Sequence, residues 1–414
     1  MGRKIELLAP AGDLEKLKIA VLYGADAVYL GGTSFSLRAK AKNFDTKQMR
    51  EGIEFAHAHG TKVYVTCNIF AHNEDFDKMA DYFRELYELG ADAILVADPG
   101  VFALARKTVP DLDVHISTQA NNTNYHTALF WRELGAKRIV MARELSLREI
   151  KEISRNIPED LEIEAFVHGA MCISYSGRCL LSNYLSGRDA NKGACSHPCR
   201  WEYFVTEKSR SGEYMPIVEE DRGTYIFNSK DLCMINHIPE LIDAGIMSLK
   251  IEGRIKTAFY VGTVVRVYRE AIDDYLKSPE LYESKKDYYI EEVAKASYRG
   301  FTTGFYYGKP DQNEQIYTTS SYIRTYDFIG MVKEYDNESG FAVIEQRNKF
   351  VTGDQVEFIS PNAGIVRQTV KEMYTLDGEK AEEAPHPQQL LRVKVDAPVK
   401  PFDMMRKESV ETGD

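Results

Sequence analysis

Four times in this chain a glycine closes a helical stretch and an apolar run follows at once: Gly24-Ala25-Asp26-Ala27-Val28, Gly90-Ala91-Asp92-Ala93-Ile94, Gly135-Ala136-Lys137-Arg138-Ile139 and, more loosely, Ala244-Gly245-Ile246-Met247-Ser248. A helix that stops on a left-handed residue favours glycine, because no Cβ opposes the turn. The repeat therefore predicts one αβ turn used several times around a single scaffold. Eight short β-branched runs precede residue 255: Glu6–Pro10, Ala27–Gly31, Lys62–Phe70, Ala93–Asp98, Val114–Gln119, Arg138–Arg143, Glu164–Gly169 and Ser248–Glu252. Amphipathic stretches such as Asp13–Tyr23, Thr46–His59, Asn73–Leu89 and Ser146–Asn156 separate them. Strands alternating with helices call for a parallel sheet, and eight of them close a (β/α)8 barrel. An open doubly wound sheet uses the same units but usually has a glycine-rich phosphate turn after its first strand. Here Leu8-Ala9-Pro10-Ala11-Gly12-Asp13 does not follow that pattern, which favours the barrel.

The chain has 414 residues, more than one barrel needs. Residues 1–277 are read as the TIM-like barrel, with a long irregular insertion after strand seven at 170–222. A helical connector is expected over 278–314. Short alternating segments separated by turn residues then predict a small antiparallel β-barrel over 315–414. The net charge is −11, and residues 321–414 hold 12 Lys+Arg against 17 Asp+Glu. No overall basic field attracts nucleic acid, so any such role must rest on a local patch. The start, Met1-Gly2-Arg3-Lys4-Ile5-Glu6, lacks a signal-peptide apolar core, and no apolar run has membrane-spanning length, so a cytoplasmic protein without a membrane partner is expected.

In a βα barrel the chemistry sits at the carboxyl ends of the strands. Those ends carry Asn68, Asp98, Gln119 followed by Asn121 and Asn122, Arg143 with Glu144, His168, and Lys250, Glu252 and Arg254. Directly after strand seven, Cys172 and Cys179 are followed by Cys195 and Cys199, all inside the insertion. Four thiols in a reducing compartment point to metal binding rather than disulfides. Zinc usually takes two narrow Cys-x-x-Cys pairs, whereas here six residues separate the first pair and three the second. Such a set suits an iron–sulfur cluster at least as well. Cys67 reads as core, and Cys233 is held as a reserve ligand. Arg178, Arg188, Lys192, Arg200, Lys208 and Arg210 outnumber Asp189, Glu202 and Glu207 around these cysteines. With Tyr184, Trp201 and Tyr203 they form a candidate nucleic-acid surface.

Leu7 to Gly12, Gly24 to Tyr29, Glu164 to Ser182, and Ser248-Leu249-Lys250-Ile251-Glu252-Gly253-Arg254 together resemble the collagenase-like peptidase family of unknown catalytic type (family U, number thirty-two). The likeness covers nearly the whole chain and is strongest to the branch concerned with tRNA hydroxylation. It implies oxygen-independent, prephenate-dependent conversion of the tRNA wobble uridine to 5-hydroxyuridine. It also implies a [4Fe-4S] cluster on Cys172, Cys179, Cys195 and Cys199, with Cys233 still in contention for the fourth place. A smaller sister subunit is a possible partner. Prephenate carries two carboxylates, for which Arg143, Lys250 and Arg254 are the candidate clamp, with His168 the candidate for proton transfer. Two other functions stay open: a collagenase-like peptidase, against which the absence of HExxH and GxSxG counts, and an RNA-binding factor without turnover.

Overall fold

In the computed structural model the described residues are 5–36, 43–171, 181–186, 188, 195–196, 204–205, 215–216, 228–308, 315–316, 322–361 and 364–409. Eight short strands form a closed parallel barrel: β1 (Glu6–Pro10), β2 (Ala27–Leu30), β3 (Lys62–Thr66), β4 (Ala93–Val96), β5 (Asp113–Ile116), β6 (Arg138–Val140), β7 (Glu162–Gly169) and β8 (Ser248–Ile251). Each pairs in parallel with the next, and β8 closes the ring by pairing with both β7 and β1. Their side chains are almost wholly buried, as a sheet covered on its outer face by helices requires.

The covering helices are α1 (Leu14–Leu22), α2 (Thr46–Ala58), α3 (Phe76–Glu88), α4 (Pro99–Thr108), α5 (Tyr125–Glu133), α6 (Leu147–Arg155), α7 (Ile238–Asp243) and α8 (Ala258–Lys277). Their starts are written in capping residues. Asp13, Asn124 and Thr257 accept backbone N–H groups at N3, while Asp45 with Gln48 and Ser146 with Glu149 form reciprocal capping boxes.

The glycine turns adopt the predicted conformation: Gly24, Gly90, Gly135 and Gly245 have φ of 104°, 85°, 102° and 85°. In each, the residue after glycine donates back across the helix end, as Ala25 does to Ala20 and Ala91 to Leu86. The aspartates of the repeat act next. Asp26 accepts the Leu7 N–H and Asp92 the Val63 N–H, tying each turn to the preceding strand. Gly60, with φ of 74°, makes the same turn without the Ala-Asp signature.

Between β7 and β8 the pattern departs from simple alternation. Asp231–Cys233 runs antiparallel to the end of β7, setting Cys233 against His168, and Phe301–Thr302 pairs beside it in parallel. Asn228 and Ser229 form a two-residue strand that pairs antiparallel with Gln315–Ile316.

Beyond α8, helices Pro279–Ser284 and Lys286–Ala294 lead to an antiparallel sheet of eight strands over 326–408, curled around its own apolar core of Ile329, Phe350, Phe358, Leu391 and Met405 among others. This module is seated on the barrel. Met331, Ile359 and Met404 join the barrel core, and the Tyr23 hydroxyl donates to the carbonyl oxygens of Ile359 and Phe402 at 3.0 Å each. The joint is also ionic: Arg406, wholly buried, meets Glu292 at 2.9 Å and Glu357 at 2.6 Å, and Arg266 of α8 reaches Glu292 at 2.7 Å.

Candidate active site at the barrel mouth

The carboxyl ends of the strands open on a cleft continuous with solvent and lined by Tyr29, Thr66, Asn68, Leu95, Ser117, Thr118, Gln119, Arg143, Phe166, Lys250, Glu252 and Arg254. The three cations of the candidate clamp thus reach one space, but their partners differ.

Lys250 points into the barrel, where its Nζ donates to Glu164 at 2.6 Å and lies 4.5 Å from the Tyr29 ring centre. Burial pushes the ammonium below its ordinary range, with Glu164 acting in the other direction. Glu164 has no exposed surface and also meets Arg138 at 3.2 Å. Arg138 in turn binds Glu6, which further accepts from Tyr64 at 2.7 Å and Ser248 at 2.7 Å. Burial would raise the Glu6 carboxyl, but Arg138 outweighs it and holds the group below its usual value. A chain of paired charges therefore fills the barrel axis beneath the cavity.

Arg254 is gripped by neutral oxygens: Nη1 donates to Ser36 and Thr66 at 2.9 Å each, and Nη2 to Asn43 at 2.7 Å. Two glycines make room for it. A Cβ on Gly31 would lie 2.3 Å from Arg254 Nη2, and one on Gly12 would lie 1.9 Å from the Arg254 carbonyl oxygen. This explains why Gly12 and Gly31 sit where they do in the first two βα turns.

The Arg143 Cζ lies over the Phe166 ring, 3.7 Å from its centre, and Nη1 donates to the Ala170 carbonyl at 2.7 Å. Its Nη2 is 3.9 Å from Glu252, and its buried Nε has no hydrogen-bond partner. Glu252 is steadied by the Tyr29 hydroxyl at 3.3 Å, and its backbone carbonyl accepts from Tyr260 at 2.9 Å. Gly169 has φ of 111°, and a Cβ there would come 2.7 Å from that carbonyl, so the exit of β7 packs directly on β8.

His168 lies outside the cavity lining. It is buried among Tyr260, Tyr268 and Phe301, with Nδ1 3.4 Å from the Tyr268 hydroxyl. Burial pushes its imidazole down to about 3, against a small opposing pull from Asp231, so it is uncharged at neutral pH. Beside it Cys233 is buried and its thiol is pushed up to about 12 by the same cause.

Of the four insertion cysteines, Cys195 is described and half-buried; its neighbour Ser196 packs against Ser182 and Ser186 through hydroxyl contacts of 3.0 and 2.7 Å. Cys172, Cys179 and Cys199 lie outside the described residues, as do Arg178, Lys192, Arg200, Trp201, Tyr203, Lys208 and Arg210 of the basic patch, while Arg188 is exposed. Among the described residues no group of three or more His, Cys, Asp or Glu side chains is placed to hold a metal, and no helix is long and apolar enough to cross a membrane.

Lining residues that the strand-end reading did not single out are Tyr29, Thr66, Leu95, Ser117, Thr118 and Phe166, with Ser36 and Glu164 behind them as partners of Arg254 and Lys250. An acid inside a strand, Glu164, with a lysine on the neighbouring strand was the available signal for the Lys250 partner.

Comparison with known proteins agrees with this architecture. A family model described as Peptidase family U32 matches residues 12–316, and one described as the Peptidase family U32 C-terminal domain matches 324–406. The chain is 44% identical over 405 residues to tRNA hydroxylation protein P1 of Bacillus subtilis (strain 168), covering 98% of this chain and 95% of that protein. It is 38% identical to tRNA hydroxylation protein P of Escherichia coli (strain K12), covering 92% of each. A shorter Bacillus subtilis protein, tRNA hydroxylation protein P2, is 36% identical and aligns over 98% of its own length but 74% of this chain. With both family models matched and these relatives aligned across most of its length, the chain belongs to the U32 peptidase family.

Proposed function

We propose that this chain is an RNA-modifying enzyme that hydroxylates the wobble uridine of tRNA to 5-hydroxyuridine without molecular oxygen, with prephenate as the oxygen donor. The observation that carries the reading is the likeness, over 98% of the chain, to a protein named for tRNA hydroxylation. The cavity supports it by chemistry. Two guanidinium groups, Arg143 and Arg254, border the solvent-open cleft, and carboxylates pair with such groups through short charge-assisted bonds. Phe166 beneath Arg143 and the Tyr29 ring add apolar faces for a carbocycle.

Cys172, Cys179, Cys195 and Cys199 are the proposed ligands of a [4Fe-4S] cluster, with Cys233 in reserve. When bound, such a cluster would supply the electron handling that a hydroxylation needs. The chain's own groups bind and orient. Arg143, through Ala170, ties the cavity to the start of the cysteine-bearing insertion. The insertion's basic residues are the proposed contact for the tRNA backbone, since the C-terminal module is acidic; binding through them weakens steeply with salt. A shorter paralogue of the P2 kind is a proposed partner or parallel enzyme.

The test is to delete the gene together with any paralogue and analyse tRNA nucleosides by mass spectrometry. Loss of 5-hydroxyuridine and its derivatives, restored by the wild-type gene and not by a Cys172→Ala variant, is the expected result. Their persistence unchanged would remove this function.

A further inference from the structure

The cavity has a second pole that the cationic groups do not explain. On the β3 to β5 arc of the rim, the carbonyl oxygens Asn68 Oδ1 and Gln119 Oε1 are buried and accept no hydrogen bond. Gln119 itself is only 8% exposed. The Asn68 amide and the backbone that carries Gln119 are fixed. Asn68 Nδ2 donates to Ser117 Oγ at 3.1 Å, and the same Oγ caps the one-turn helix Thr118–Ala120. Thr118 Oγ1 donates to the Met141 carbonyl at 3.0 Å, and the Gln119 carbonyl accepts from Asn121 Nδ2 at 3.2 Å. Buried acceptors without donors are disfavoured unless something brings the donor. Across the cleft, after β6, Arg143 Nε is a buried donor without an acceptor.

We propose that Asn68 and Gln119 are specificity-determining residues that accept a hydrogen bond from an alcohol hydroxyl of the small substrate, while Arg143 takes its carboxylate. The site therefore selects carboxylates bearing a hydroxyl over their deoxy counterparts. A bare carboxylate leaves the two acceptors unpaired, and a site built to hydrogen-bond a hydroxyl rejects the analogue lacking it more strongly than it rewards the right ligand. The inference rests on the proposed function only in taking this cavity as the small-substrate site; prephenate carries both groups.

The test is calorimetric titration of the full-length protein with trans-4-hydroxycyclohexanecarboxylate and with cyclohexanecarboxylate, followed by prephenate. The wild type is expected to bind the hydroxy acid about tenfold more tightly. Gln119→Met, which keeps the length and apolar bulk of the side chain but has no carbonyl, should bring the two affinities within about twofold, chiefly by raising that of the deoxy acid. Equal affinities in the wild type overturn the proposal without any variant, and so does discrimination that survives in folded Gln119→Met and Asn68→Leu proteins. Discrimination present while the deletion strain keeps its 5-hydroxyuridine would sink the proposed function and leave this inference standing. The converse pair of results would do the opposite.

Discussion

Lys250 donates to Glu164 across 2.6 Å where neither side chain has more than 4% of its surface in solvent. The lysine of the candidate clamp is thus already neutralised from below. Removing one partner of such a pair leaves a buried charge uncompensated, at a cost of about 3–5 kcal/mol. Glu164→Gln should therefore lower stability by that order in urea unfolding, and Lys250→Met combined with Glu164→Gln should lose markedly less than Glu164→Gln alone. A double variant as damaged as the single one would show that the pair is not the source of the loss.

Arg143 is placed to bind rather than to stabilise. One of its bonds is to a backbone carbonyl, its Nε is unmatched, and Glu252 stands off at 3.9 Å. Arg143→Met should reduce affinity for a small carboxylate by about ten- to a hundredfold, with the unfolding midpoint within a few degrees of the wild type. Arg143→Lys should recover part of the affinity as a point charge without the planar fork. Unchanged binding in both variants would move the carboxylate elsewhere.

The buried imidazole of His168 gives the fold an acid-sensitive element. Unfolded, a histidine takes a proton near pH 6.5; folded, His168 stays neutral down to about 3. Between those values the unfolded chain binds the extra proton, so stability is complete above pH 6.5 and falls as pH drops, by about 1.4 kcal/mol per pH unit from this group. His115, buried beside Arg138 and Lys250, is held down in the same direction. Chemical denaturation between pH 6.5 and 5 should show the slope, and His168→Phe should make it shallower by about one proton's worth. An identical slope in the variant would assign the effect to other groups.

The barrel and the C-terminal module meet over Arg406, which is wholly buried between Glu292 and Glu357. Burial would raise both carboxyl groups, yet Arg406 outweighs it and holds both below their ordinary range. Arg406→Met should cost about 3–5 kcal/mol and split thermal unfolding into two transitions as the module comes away first. A single transition at an unchanged midpoint would mean the joint rests on Tyr23 and its apolar neighbours instead.

The barrel was legible because its punctuation is local. Gly24, Gly90, Gly135 and Gly245 each need a left-handed backbone, and the Asp26 and Asp92 side chains mark where the next strand begins. Gly60 escaped the repeat because His59-Gly60-Thr61 has the turn without the aspartate. The Asp231–Cys233 strand also escaped, since its antiparallel seat beside β7 depends on Phe301–Thr302, some 70 residues away. Strand-end counting found Arg143, Lys250 and Arg254, which do converge. It had no means of telling that Lys250 turns inward to Glu164 or that His168 packs behind the cavity, because both depend on which face of the strand meets which neighbour.

The most direct measurement is an anaerobic reaction of the purified full-length protein with tRNA lacking the modification, with and without prephenate, followed by nucleoside mass spectrometry. The account predicts 5-hydroxyuridine only when prephenate is present, in preparations that contain iron, and none from a protein with Cys172, Cys179, Cys195 and Cys199 all replaced by alanine. Equal product from the four-cysteine variant, or no product from iron-replete wild-type protein supplied with prephenate and tRNA, would contradict it.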